Sequence, residues 1–249
     1  MVNSRRYEVI LLDCFNTILL PDLTTLPVTI VDGKPTPSTA GMLAEELRPY
    51  LPAVEAEQIY HAHREAWRWA ETNRGPDVRE VPAIDRFRHM LVLLGMAKPE
   101  DGLAARILER HSNLVADSYE FSDAYREILS RLARSHRLAL FSNFDYGPAL
   151  RRKLERHGLD RILDPIVISA EIGYRKPGRI AFDLALEALR KPREAILFVG
   201  DSLIDDVAGA AAAGLPVAWI NPEGDTPASG PPPDHLIRNL AELEALLRG

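Results

Sequence analysis

Residues 7–19 read YEVILLDCFNTIL, a β-branched and aliphatic run that ends abruptly on Asp13. Six successive residues with almost no polar alternation describe a strand buried on both faces, which is the signature of a parallel sheet covered by helices. A carboxylate placed immediately after such a strand stands at its carboxyl end, where open parallel sheets hold their ligands. The remainder of the chain supplies partners for this strand. After residue 122 helical and strand-like segments alternate: DAYREILSRLARS, RLALFSN, YGPALRRKLERHG, PIVIS, RIAFDLALEALRK, AILFVGD, DDVAGAAAAG, PVAWIN and LAELEALLR. This alternation predicts an α/β fold built on a doubly wound parallel sheet, with YEVILL as one of its strands.

Between the first strand and that alternating region the pattern changes. From about residue 38 to about residue 121 the segments AGMLAEELRPYL, EAEQIYHAHREAWRWAETNR, AIDRFRHMLVLLG and GLAARILERHSNLVADSY carry apolar residues at three- and four-residue spacing, and no strand-like run interrupts them. The expected organisation is therefore a core of residues 1–19 and 122–249 with a helical insertion at 20–121. Within the insertion, LPVTIVDGKPTPS places β-branched residues around Asp32-Gly33 and predicts a hairpin near 27–36. Residues 221–235, rich in proline and glycine, read as a surface loop.

Composition narrows the function classes. A chain of 249 residues with 46% hydrophobic residues can bury a sizeable core and a smaller second unit. A net charge of -6 gives no electrostatic reason to expect nucleic acid or an anionic membrane as partner, so a small molecule is the expected ligand. No run reaches the roughly 18 apolar residues of a membrane span, and the amino terminus lacks the pattern of a secretory signal. With a single cysteine no intramolecular disulfide is possible, and the expectation is a cytoplasmic protein.

Four polar motifs each follow a predicted strand: DCFNT after YEVILL, Ser142-Asn143 after RLALF, GYRKP after PIVIS, and GDSLIDDVAGA after AILFV. In this order they resemble the four motifs of the haloacid dehalogenase (HAD) superfamily, and the helical insertion is similar to the cap domain found after the first motif in one large branch. The resemblance covers nearly the whole chain. It implies a Rossmann-like hydrolase core in which Asp13 is the nucleophile and forms a covalent intermediate that water later opens. It further implies that Thr17, Ser142 and Asn143 hold phosphate oxygens, and that Lys176 steadies both Asp13 and the substrate anion. The implied cofactor is Mg2+, held by the carboxylates of Asp13 and Asp201 and the backbone carbonyl of Phe15. Asp206 would act as a further ligand or stand close behind, and Asp205 is a weaker candidate. The expected substrate is a small phosphorylated molecule.

One position departs from that pattern. The superfamily's phosphatases usually carry a second aspartate two residues after the nucleophile, which protonates the leaving group and then activates water; here Phe15 occupies the place and moves no protons. The general acid it lacks is worth roughly 10²–10⁴-fold in rate. The superfamily's dehalogenases also carry an aromatic residue there and a Ser-Asn second motif, but they work without metal and lack the Gly200-Asp201 pattern. A dehalogenase-type hydrolase and a catalytically impaired ligand-binding protein are therefore the alternatives to a Mg2+-dependent phosphoryl hydrolase. A phosphonatase-like route needs an imine-forming lysine in the insertion, and residues 38–97 contain none. Asp145, Asp22, His61, His63 and Glu65 are the candidates to replace the missing acid. His63, Trp67 and Trp69 read first as packing residues of the insertion, and Cys14 as buried filler.

Overall fold

The computed structural model describes residues 7–224 and 230–248; residues 225–229 of the loop expected at 221–235 lie outside the described residues. The strands, in chain order, are β1 (Val9–Leu12), β2 (Leu20–Pro21), β3 (Val28–Val31), β4 (Lys34–Pro37), β5 (Tyr119–Glu120), β6 (Arg137–Ser142), β7 (Leu163–Ile168), β8 (Ile196–Gly200), β9 (Val217–Ile220) and β10 (His235–Ile237). Six of them form one sheet in the order β10-β9-β8-β1-β6-β7. Every pairing in it is parallel. The topology is thus the doubly wound α/β arrangement that the alternation predicts.

The central position of β1 explains its sequence. Val9 and Leu11 face one hydrophobic cluster, and Ile10 and Leu12 face the other, so all four are fully buried. The first face is covered by α8 (Arg179–Leu189) and α9 (Gly209–Ala212), through residues such as Phe182, Leu189 and Ala210. The second is covered by α5 (Asp123–Leu132), α6 (Gly147–Arg156) and the carboxyl-terminal α10 (Leu240–Arg248). Between β7 and α8 lies the single-turn α7 (Ser169–Ile172).

The insertion is built from α1 (Ala40–Leu47), α2 (Ala56–Thr72), α3 (Ala83–Leu93) and α4 (Asp101–Asp117). Their apolar faces meet in a third cluster, including Leu43, Leu47, Ile59, Phe87, Met90 and Ile107, that is separate from the two clusters of the sheet. Ahead of them β3 and β4 pair antiparallel. Asp32 and Gly33 between them both have positive φ, 49° and 74°, the requirement of a tight two-residue hairpin turn.

Three features are absent from the sequence expectation. The strands β2 and β5 pair antiparallel, Leu20 with Glu120 and Pro21 with Tyr119, so the two crossings into the insertion lie side by side. Two residues per strand are too few to show periodicity. A strap from the insertion, residues 78–80, lies against 173–175 through Arg175 N to Val78 O (3.1 Å) and Glu80 N to Gly173 O (3.0 Å). The edge strand β10 has one buried residue in three and therefore no readable pattern.

Candidate active site at the carboxyl end of the sheet

The motif residues converge because their strands are neighbours. β8 and β6 flank β1 on either side, so the loops after these three strands open onto one crevice. The chain leaves β1 through a tight fold-back in which the Cys14 carbonyl accepts from both Ile18 N and Leu19 N (2.9 Å each) and Asn16 takes a positive φ of 60°. Asp13 N is itself anchored on Val199 O of β8 at 2.8 Å.

At the centre lies a buried ion cluster. Lys176 Nζ donates to Asp13 Oδ1 at 2.6 Å and to Asp206 Oδ1 at 2.7 Å, and its side chain is 1% exposed. Asp206 Oδ2 in turn accepts from Ser202 N (2.9 Å), at the start of a π-helical turn, Leu203–Ala208, that aims Asp206 back toward the strand ends. Such turns recur where a helix has to direct a functional side chain. Gly200 is obligatory beside it, since a Cβ there would lie 2.4 Å from Asp206 Oδ2. Asp201 is half-buried; its carbonyl accepts from Trp219 Nε1 (2.7 Å) and its carboxylate from Asn16 Nδ2 (3.3 Å).

The cluster's electrostatics follow from a shortage of positive charge. Asp13, Asp201 and Asp206 offer oxygens that all lie within 4.8 Å of one another. One ammonium against three carboxylates leaves two negative charges. Burial, against the pull of Lys176, pushes the Asp13 carboxyl up to about 7, with Asp206 and Asp201 adding to the effect. Burial and Asp206 likewise raise Asp201. Burial works to lower the Lys176 ammonium, but Asp13 and Asp206 outweigh it and hold it above its ordinary value. Three hard oxygen donors with an unanswered double negative charge fit a divalent cation such as Mg2+, which takes oxygen ligands and few of them from protein. Burial and the adjacent Asp13 push the Cys14 thiol well above its usual range, which makes it inert filler.

The other sequence-predicted residues surround this cluster. Asn143 accepts from Lys176 N (2.9 Å) and donates to Lys176 O (3.0 Å) and Asp205 Oδ2 (3.2 Å), so it fixes the lysine's backbone and ties Asp205 to the second motif. The hydroxyls of Thr17 and Ser142 are fully buried and have no oxygen or nitrogen partner. The Phe15 ring packs edge-on against Tyr119 (4.6 Å between centroids) and tilted against Phe144 (5.1 Å).

Each of the sequence-chosen acids is already engaged elsewhere, Glu65 with Arg68 at 2.8 Å on the exposed side of α2. Asp145 is bound by Arg86, a 2%-exposed guanidinium from α3 that also contacts His63 Nε2 at 2.8 Å. Burial and the neighbouring His111 and Arg86 hold His63 well below its ordinary value, and burial takes His111 down to about 3. Both rings are therefore neutral at pH 7. Asp22 caps the short helical turn that follows it, accepting from Thr24 N at 3.1 Å. His61 is exposed at the hairpin, 3.5 Å from Asp32. The sequence reading missed Arg86, Ser112 and Tyr119; Arg86 in α3 and Ser112 in α4 stand at helical spacing among charged and apolar neighbours, Tyr119 lies in the two-residue β5, and nothing local separates them from surface residues.

The comparisons with known proteins agree with this arrangement. Residues 7–214 match the model of the haloacid dehalogenase-like hydrolases. The chain is 41% identical over 96 residues to the pyrimidine 5'-nucleotidase YjjG of Escherichia coli (38% of this chain, 43% of that protein). It is 33% identical over 129 residues to mouse N-acylneuraminate-9-phosphatase, covering 51% and 52% of the two chains. The chain thus spans about half or less of the length of these two relatives. In fold it resembles a 2-haloacid dehalogenase from Pseudomonas syringae, with a TM-score of 0.69 and 20% identity over 97% of this chain and 98% of that one. A magnesium-bound structure of the HAD-hydrolase YfnB from Bacillus subtilis gives 0.61 and 23% over 98% and 100%. A central β1 followed by Asp13, a lysine and acidic cluster gathered at the same end of the sheet, and a family match over most of the chain lead to one conclusion: this protein belongs to the haloacid dehalogenase-like hydrolases.

Proposed function

We propose that the protein hydrolyses phosphate monoesters of small molecules, with Asp13 as nucleophile, Lys176 as its electrostatic partner and Mg2+ bound by Asp13, Asp201 and the Phe15 carbonyl, with Asp206 behind. The observation that carries this reading is the clustering of three carboxylates, two of them buried and paired with the Lys176 ammonium and the third, Asp201, half-buried beside them, which calls for a divalent cation. When bound, that cation would screen the negative charge of phosphate from the carboxylates. Asp13 attacks phosphorus and forms an O–P bond as the ester P–O bond breaks, and the leaving oxygen departs with the bonding pair. Lys176 stabilises charge in both states, and Asp206 holds the ammonium in line. The hydroxyls of Thr17 and Ser142, with Asn143 close by, would receive the phosphoryl oxygens. Water then attacks the aspartyl phosphate, its protons pass to solvent and phosphate, and the Asp13 carboxylate returns.

Residues 20–121 would act as a cap over the core of residues 1–19 and 122–249. Supporting this are the separate hydrophobic cluster of the insertion and the paired crossings at β2 and β5. A second reading, hydrolysis of 2-haloacids, is favoured by Phe15, since halide leaves without a proton. Assaying phosphate esters, phosphoanhydrides and 2-haloacids with and without Mg2+ tests both. Turnover of phosphate esters that requires Mg2+ is the expected result. Metal-independent release of halide, without phosphatase activity, would replace it by the second reading.

A further inference from the structure

A cavity of about 300 Å³ opens between the insertion and the loops after β1 and β6. Phe15, Tyr119, Phe144 and Trp67 line it. The charged groups on its wall are already answered, Arg86 by Asp145 and Arg175 by Glu80 at 3.3 Å. His63 Nε2 is in contact with Arg86, and His111 Nδ1 with Thr39 Oγ1 at 2.8 Å. Among the described lining residues, the hydroxyl of Ser112, 1% exposed, is a buried polar group without a hydrogen-bond partner.

We infer that this cavity receives the leaving group of the substrate, and that the leaving group is a neutral aromatic or heteroaromatic ring with a hydrogen-bonding substituent, joined directly to the phosphate oxygen. The inference rests on the phosphoryl-hydrolase reading above. Three features of the wall select the ring. Aromatic faces favour a flat, polarisable guest. A second anion would need an unpaired cation, and among the described lining residues both guanidiniums are paired. A polyol would bury several hydroxyls against a wall dominated by aromatic rings, at a cost for each one left unsatisfied. Size agrees, since a dry cavity of about 150 Å³ takes benzene and this one leaves room for substituents.

The chemistry of the site points the same way independently. Phe15 removes the usual proton donor, and the histidines that could replace it are half-buried, with His63 in contact with Arg86 and packed against His111. An aryl oxygen can leave without one. Asp13 bonds to phosphorus as the bond to the aryl oxygen breaks; the aryloxide takes the electron pair and is protonated by solvent. Water then opens the aspartyl phosphate as described.

The test separates ring recognition from leaving-group acidity. With saturating Mg2+, kcat/KM is measured for phenyl phosphate, for hexafluoroisopropyl phosphate, whose alcohol is of comparable acidity but not aromatic, and for a pyrimidine nucleoside 5'-monophosphate, whose ring is remote from an alkyl leaving oxygen. Phenyl phosphate should exceed each of the others by about tenfold or more, the scale of one good aromatic contact. Trp67→Ala should raise KM for phenyl phosphate and bring its ratio to the fluoroalkyl ester toward one. If that variant fails to fold in a thermal melt, Ser112→Ala serves instead, and should erase any preference for hydroxyphenyl over phenyl phosphate. Equal rates for phenyl and fluoroalkyl esters, or a preference for the nucleotide, overturn the inference while leaving the phosphoryl-hydrolase reading in place. Failure to cleave any ester removes both.

Discussion

Replacing Phe15 by aspartate asks whether a missing proton donor is what limits this site. A positioned general acid contributes about 10²–10⁴-fold, or about 3–5 kcal/mol of barrier, to departure of a poor leaving group. A nitrophenolate needs almost none of this. The substitution keeps the backbone carbonyl assigned to the metal but forfeits two ring contacts, with Tyr119 and Phe144, worth about 0.5–1.5 kcal/mol each. It also adds a carboxylate beside a cluster already short of positive charge. A loss of about 1–3 kcal/mol from the rings is affordable within the usual 5–15 kcal/mol of a domain. The assay is kcat/KM with saturating Mg2+ across esters from alkyl to nitrophenyl, with thermal melts of both proteins. The native protein should depend steeply on leaving-group acidity. The variant should gain at least about tenfold on alkyl phosphates, little on nitrophenyl phosphate, and show a flatter dependence. A native enzyme indifferent to leaving-group acidity, together with a folded variant that gains nothing, would mean that another group already moves the proton.

Three other outcomes follow from the same geometry. Asp201→Asn should weaken Mg2+ binding in a calorimetric titration and abolish metal-dependent turnover with the fold intact; unchanged affinity would take Asp201 out of the metal site. Gly200→Ala should cost activity through displacement of Asp206 from Lys176, because its Cβ would lie 2.4 Å from Asp206 Oδ2; full activity in the folded variant would show that Asp206 has slack to move. His111 is held neutral with a folded value of about 3, so the unfolded chain binds the extra proton as pH drops below the ordinary histidine value of 6.5. The stability it contributes is complete above that value and declines as pH falls toward 3. At pH 5, 1.5 units below 6.5, the loss is about 2 kcal/mol. His111→Gln should remove that part of the acid sensitivity in denaturant titrations at pH 7 and 5, and an unaltered difference between the two would refute the assignment.

The sheet was legible because its residues announce themselves locally. A buried parallel strand has to be apolar on both faces, so YEVILL, RLALF and AILFV stand out in any window, and the polar residue that ends each run marks the carboxyl edge where a site can form. Asp13, Ser142, Asn143, Lys176 and Asp201 were singled out as residues that follow such runs, Asp206 only through the likeness of its acidic cluster to the family's fourth motif, and the Asp32-Gly33 turn from the backbone conformation it demands. What the sequence left open concerns charge and contact between segments far apart in the chain. That Lys176 bridges Asp13 and Asp206, 163 and 30 residues away, is a property of the sheet order and of the loop after β7, which crosses β6 to reach the ends of β1 and β8. The pairing of Arg86 with Asp145, which turns a candidate acid into an occupied counter-ion, depends on how α3 faces the loop after β6. His63 and His111 are neutral because packing takes their rings out of water, and no residue type or spacing records desolvation. Residue order determines which groups stand at the ends of the strands; only the folded chain decides which of them are left with a proton, a charge or a partner.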